Sequence, residues 1–157
     1  MAPIELSNST ARIGVAPSLG AGLTRYEILR QGVWEPIFRT VPDDTVHPFQ
    51  LSNILLAPFS GRISGGGFFI GDQFHAIAPN LPGEKLPIHG SGFNAPWRVT
   101  GQCGSEIVLS LPNSTIGPFR FDAEVCYRLD GSALHMEMSV TNRAGMPLPY
   151  GIGFHPW

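Results

Sequence analysis

The sequence predicts an all-β protein built as an antiparallel β-sandwich, on three observations. Apolar and polar residues alternate at period two along much of the chain, whereas the 3.6-residue period of an amphipathic helix is nearly absent. Glycine and proline are abundant, at 19 and 15 residues, yet 43% of the chain is hydrophobic and ten residues are phenylalanine. That combination fits many short strands joined by frequent turns better than disorder. Third, residues 122–142 carry the pattern of a long hairpin with an Asp-Gly turn at its middle.

In chain order, residues 23–29 and 33–39 read as strands. Residues 68–74 read as a hairpin with Gly71-Asp72 at the turn. Residues 107–111 make a short apolar strand. In the long hairpin, Ala123, Val125, Tyr127 and Leu129 alternate with Asp122, Glu124, Cys126 and Arg128. After Asp130-Gly131, Leu134, Met136, Met138 and Val140 alternate with His135, Glu137, Ser139 and Thr141. A two-residue Asp130-Gly131 loop pairs Leu129 with Ser132, then Tyr127 with Leu134, Val125 with Met136 and Ala123 with Met138. The apolar sets then share one face, as a half-buried antiparallel sheet requires. The same register sets Glu124 opposite Glu137, which is mildly unfavourable. Cys126 falls on the polar face. Residues 150–157 are an apolar, strand-like segment. Residues 42–50 and 79–87 are proline-bounded loops, and the second runs directly into Ile88-His89-Gly90. Loops on a rigid β scaffold are where binding residues concentrate.

A chain of 157 residues is long enough to bury one sizeable core, and residues 1–157 are read as a single domain. The net charge of −2 advertises no basic surface for nucleic acid. Lys85 is the sole lysine. No apolar run approaches the roughly 20 residues of a membrane span, so no membrane partner is expected. A basic segment followed by an apolar one is not visible at the N-terminus, and the expected location is cytoplasmic. Cys103 and Cys126 lie in no CxxC pair and read as reduced thiols. The histidines show no tight ligand spacing, so no metal is expected. Gly65-Gly66-Gly67 lacks the strand, lysine and helix context of a phosphate loop and reads as a turn entering the next strand.

Three segments carry chemistry. The first runs from Asn53 through Ala57-Pro58-Phe59-Ser60-Gly61-Arg62-Ile63. The second is Leu86-Pro87-Ile88-His89-Gly90, followed by Gly92-Phe93 and Trp97. The third is Tyr150-Gly151-Ile152-Gly153-Phe154-His155-Pro156-Trp157. In the third, the glycines let the backbone approach a ligand closely and Pro156 restrains the bond after His155. An imidazole so placed suits the rim of a sugar pocket. His47, His75 and His135 have no such context and read as ordinary exposed or half-exposed residues. Trp34 reads as packing.

Together these segments resemble the aldose 1-epimerase (mutarotase) family, whose P-x-x-N-R-I-like, L-H-G and late G-x-G-x-H-P-aromatic segments occur in the same order. Gly61 replaces the asparagine usual before the arginine, and Trp157 replaces a frequent Tyr or Phe. The resemblance implies a galactose mutarotase-like supersandwich of which residues 1–157 are an incomplete N-terminal portion. It further implies that the family's later carboxylate and its glutamate base lie beyond Trp157. Glu5, Asp43, Asp44, Glu35 and Glu84 sit in no segment resembling that base motif. The strand-like segment at 150–157 then lacks onward partners, and its open edge invites association with another copy.

Anomer interconversion opens a pyranose ring, rotates the freed aldehyde and closes the ring again. It needs a proton delivered to the ring oxygen and one removed from the C1 hydroxyl. Imidazole and carboxylate can do this without metal or organic cofactor. By resemblance, His155 protonates the ring oxygen, His89 lies near the ring oxygen and C1, and Arg62 bonds sugar hydroxyls through its forked guanidinium. Phe93, Trp97 or Trp157 offers a face for the sugar, with Trp157 the expected substrate contact. The small-molecule partner is an aldohexose or its phosphate. Other readings remain: a hexose-6-phosphate mutarotase, a non-catalytic carbohydrate-binding sandwich, a plain interaction domain, and, for Arg62, simple pairing with an acidic residue.

Overall fold

The computed structural model describes residues 3–42, 44–45 and 47–157; Asp43 lies outside the described residues. Along the chain, β1 (Ile4–Ser7), β2 (Ala11–Ala16), β3 (Gly22–Arg30), β4 (Val33–Pro36) and β5 (Asn53–Leu56) are followed by β6 (Gly67–Ile70) and β7 (Gln73–Ala76). Then come β8 (Arg98–Cys103), β9 (Glu106–Ile116), β10 (Phe119–Asp130), β11 (Ala133–Asn142) and β12 (Gly153–Pro156). Helix among the described residues is limited to 3-10 turns at Pro48–Gln50 and Ser64–Gly66. The second is the glycine turn, and it feeds β6.

One sheet has the order β1-β2-β3-β5-β12, with β4 added to β3; the other is β11-β10-β9-β8; β6 and β7 form a separate hairpin. All the strand pairs are antiparallel. The two larger sheets bury one core between them. Phe119, Phe121, Ala123, Val125, Tyr127 and Leu129, every second residue of β10, are buried, together with Ile107, Leu109 and Leu111 of β9. Ile13, Val15, Leu23 and Leu55 meet them from the first sheet. Each Phe, Val, Leu or Ile side chain among them contributes roughly 1.5–3 kcal/mol on removal from water. Tyr127 spans the sandwich: its hydroxyl donates to the Ala21 carbonyl at 2.8 Å. Burial pushes its pKa up, so the phenol stays a donor.

The long hairpin forms, with a different register from the one predicted. Asp130 pairs with Ala133, Tyr127 with Met136 and Val125 with Met138. The loop is Gly131-Ser132, and Gly131 takes φ +56° at its first position. Glycine accepts that conformation without the cost an aspartate would bear there. A two-residue slip preserves which face is apolar, so the burial pattern survives. It also separates the two glutamates: Glu137 faces Cys126 and Glu124 faces Ser139. Elsewhere the Gly71-Asp72 turn pairs Ile70 with Gln73 as expected. β4 stops at Pro36, which cannot donate to the ladder, short of the predicted residue 39. β9 runs well beyond the predicted 107–111. Cys103 is exposed, Cys126 is half-buried, and both thiols are free.

Candidate functional site

The site is assembled where β5 leaves its sheet. Residues 57–62 run beside residues 88–92, with Ala57 bridging Gly90 and Arg62 bridging Ile88. Gly90 must be glycine here: its φ is +74°, and a Cβ would lie 2.1 Å from the Ala57 carbonyl oxygen. Asn80, on the preceding loop, grips the same segment. Its Oδ1 accepts from the Ile88 N–H at 2.7 Å, and its Nδ2 donates to the Ile88 carbonyl at 2.8 Å and to the Gly90 carbonyl.

His89 sits between these clamps with φ +56°. Its N–H donates to the Gly61 carbonyl at 2.9 Å, and the Gly61 N–H donates to its Nδ1 at 3.1 Å. Because Nδ1 accepts, the neutral ring carries its proton on Nε2. Burial lowers the pKa of His89, and the positive charges of His155 and Arg62 lower it further, against a smaller opposing effect of Glu84. Gly61 itself has φ +73°. Asparagine is the other residue that tolerates this region, so Gly61 keeps the backbone of the family's usual residue.

His155 is on β12, paired with Ile54 of β5. Its ring meets that of His89 edge to face at 6.0 Å and stacks on Trp157 at 4.2 Å with 25° between planes. Trp157 is held at both backbone ends: its N–H donates to the Ser52 carbonyl and its carbonyl accepts from the Arg39 N–H, each at 2.9 Å. The Arg39 guanidinium covers the indole at 4.4 Å and donates to the carbonyls of Phe49 and Leu51. Phe49 stacks on Phe93 at 5.4 Å and turns its ring perpendicular to His89 at 5.9 Å.

Arg62 is exposed and forms a two-pronged ion pair with Glu84, Nε to Oε2 at 2.9 Å and Nη2 to Oε1 at 2.7 Å. The pair lowers the pKa of Glu84 and raises that of Arg62. Arg62, His89 and the His155–Trp157 pair, from three segments far apart in sequence, thus share one surface patch. Phe93 and Trp97 do not offer a sugar platform. They are 0% and 4% exposed, and the Trp97 indole N–H is spent on the Gly92 carbonyl. Their inward packing, beside a glycine-rich turn, was not readable from their proximity to His89. Trp157 is 39% exposed, though His155 and Arg39 already occupy much of its ring.

Sequence reasoning missed three members of this patch, Asn80, Phe49 and Arg39; it allowed Arg62 an acidic partner without saying which, and the structure supplies Glu84. The 79–87 loop was a signal for Asn80 and Glu84, since it runs into the histidine segment. What pairs Glu84 with Arg62 is the bridge between Arg62 and Ile88, a tertiary contact. Among the described residues no group of three or more His, Cys, Asp or Glu is placed to hold a metal ion. No helix there is long and apolar enough to cross a membrane.

The sandwich defines the class of protein, a galactose mutarotase-like fold. A structure from Escherichia coli K12, assigned provisionally as an aldose 1-epimerase, matches 98% of this chain and 50% of its own with a TM-score of 0.88 at 23% identity. A galactose mutarotase-like protein from Clostridium acetobutylicum matches 98% of this chain and 49% of its own, with a TM-score of 0.79 at 20% identity. In sequence, the uncharacterized protein YphB of Escherichia coli is 26% identical over 102 residues, 65% of this chain and 35% of that protein. The aldose 1-epimerase family model matches residues 3–157, and the chain belongs to that family. It spans about half the length of the solved relatives and about a third of the curated one.

Proposed function

We propose that the protein is a mutarotase that interconverts the α and β anomers of an aldohexose, with residues 1–157 supplying the acid side of the reaction. The observation that carries this reading is the contact of two imidazoles, His89 and His155, beside Arg62. Two imidazoles 6.0 Å apart do not both hold charge cheaply. The lowered pKa of His89 leaves it neutral, with Nε2–H as a hydrogen-bond donor toward the ring oxygen or O1. His155 is then free to carry the mobile proton. In the forward step His155 protonates the ring oxygen, a base removes the O1 proton, the C1–ring oxygen bond breaks and C1=O1 forms. Rotation about C1–C2 and the reverse transfers close the other anomer. Arg62 donates to sugar hydroxyls, and Trp157 holds His155 in place with its exposed edge toward the sugar.

The base is assigned to a portion of the protein beyond residue 157. Half-covered inward residues on β11 (Leu134, Met136, Met138 and Val140) and an edge of β12 that has no partner strand among the described residues support that reading. The test is polarimetry on freshly dissolved α-glucose and α-galactose. The complete gene product should exchange anomers and His155→Ala should lose kcat far more than KM, since proton transfer matters most in the transition state. Residues 1–157 alone should be inactive and prone to self-association by size exclusion. Unchanged kcat in His155→Ala, or full activity from a monomeric 157-residue chain, refutes this division of labour.

A further inference from the structure

Resting on that reading and deepening it, we propose that Glu84 sets the charge selectivity of the site, so that the subsite at Arg62 takes an uncharged polyol and rejects a phosphorylated or carboxylated sugar. Arg62 would otherwise be a natural anion receptor: it is exposed, forked and permanently charged. Glu84 uses both carboxylate oxygens against one side of that fork, on Nε and Nη2. This geometry fixes the guanidinium plane and leaves the Nη1 N–H groups and one Nη2 N–H for a ligand. The ion pair cancels the local charge.

Glu84 also brings acceptors of its own. Its side chain is 24% exposed, so lone pairs not engaged by Arg62 remain reachable. The hydrogen bond from Arg62 holds its pKa down despite partial burial, and it stays a carboxylate at working pH. The pair therefore presents donors and acceptors side by side. Two neighbouring sugar hydroxyls match this, one accepting from Arg62 and the next donating to Glu84. A phosphate dianion offers acceptors alone and meets a carboxylate within a few ångströms. At about 4 Å that repulsion is worth about 1 kcal/mol in water and several times more near a protein surface, or a factor of about five at minimum. The second arginine of the patch does not compensate. Arg39 is committed to the carbonyls of Phe49 and Leu51 and to the face of Trp157.

The experiment measures kcat/KM of the complete gene product for glucose, glucose 6-phosphate and glucuronate, by polarimetry and NMR exchange spectroscopy. The wild type should favour glucose over both anions by about tenfold or more. Glu84→Gln, which keeps shape and one acceptor, should narrow that ratio by about five- to tenfold, chiefly through a lower KM for the anions. Glu84→Asp, which keeps the charge, should retain the discrimination even if overall activity falls. Thermal melting of each variant confirms folding. A ratio unchanged in folded Glu84→Gln, or a wild type that prefers the phosphate, overturns the proposal. Absence of exchange on any sugar overturns the mutarotase reading instead. The same ratios, measured as binding by quenching of tryptophan fluorescence, then decide charge selectivity separately.

Discussion

Asn80→Ala tests the claim that His89 is positioned from outside its own segment. The substitution deletes three hydrogen bonds: Oδ1 to the Ile88 N–H at 2.7 Å, Nδ2 to the Ile88 carbonyl at 2.8 Å, and Nδ2 to the Gly90 carbonyl. Ile88 is 2% exposed, so its N–H loses its described partner away from water. Three bonds at about 0.5–1.5 kcal/mol each, with about 1–3 kcal/mol for one stranded donor partly counted among them, give a loss of about 2–4 kcal/mol. That is a large share of a typical stability of about 5–15 kcal/mol. The freed 88–90 segment also carries the His89–Gly61 pair, and a shift of about 1 Å at a reacting group costs on the order of 100-fold in rate. Urea denaturation and polarimetry on the complete gene product read the two effects. Asn80→Asp discriminates the cause. It has nearly the same shape and keeps the acceptor, but it sets a carboxylate oxygen against two carbonyls. It should be at least as damaging as alanine. An Asp variant within about 0.5 kcal/mol of wild type would mean that Asn80 merely fills space, and the positioning argument fails.

Two further outcomes follow from the same geometry. Gly90→Ala should cost about 3–5 kcal/mol, from left-handed strain and a Cβ 2.1 Å from a carbonyl oxygen, whereas Gly92→Ala, whose Cβ comes no nearer than 3.2 Å, should cost about 1 kcal/mol; equal midpoints in denaturant would contradict this. Because the pKa of His89 is lowered on folding, the unfolded chain binds the proton more readily. This residue's contribution to stability is therefore intact above about pH 6.5, the unfolded value, and is lost as pH falls from there through the lower folded-state value. The advantage of wild type over His89→Asn, which tolerates the positive φ, should shrink between about pH 7.5 and about pH 5. An advantage that is flat or grows over that interval would show that the imidazole is not held neutral.

The β class, the long hairpin and the three motif segments that carry Arg62, His89 and His155 were legible because they rest on local signals. Period-two alternation places Tyr127, Val125 and Ala123 on one face whatever the neighbouring strand is. The hairpin's register was not legible to the residue, because a slip of two changes the cross-strand partners yet keeps every apolar residue on the same face. The choice turned on which residue would take φ +56°, and on the like-charge pair that the observed register avoids. The aromatics beside His89 were misread for a related reason. A phenylalanine or tryptophan in a glycine-rich turn packs inward or outward according to the opposite sheet, which local sequence does not describe.

By itself, the sequence determined that this chain alternates into strands, that glycine and proline punctuate them with turns, and that its three motif segments resemble one enzyme family. The tertiary structure decided which of those segments touch. Antiparallel pairing of β12 with β5 sets His155 beside Ile54, and the bridge from Arg62 to Ile88 brings Glu84 to the guanidinium. Neither contact is encoded by spacing along the chain. Each arises because backbone groups near the site must find partners, and the partners available lie on strands and loops distant in sequence. The pairing of Arg62 with a carboxylate, and with it the local charge of the candidate site, is therefore a property of the folded chain.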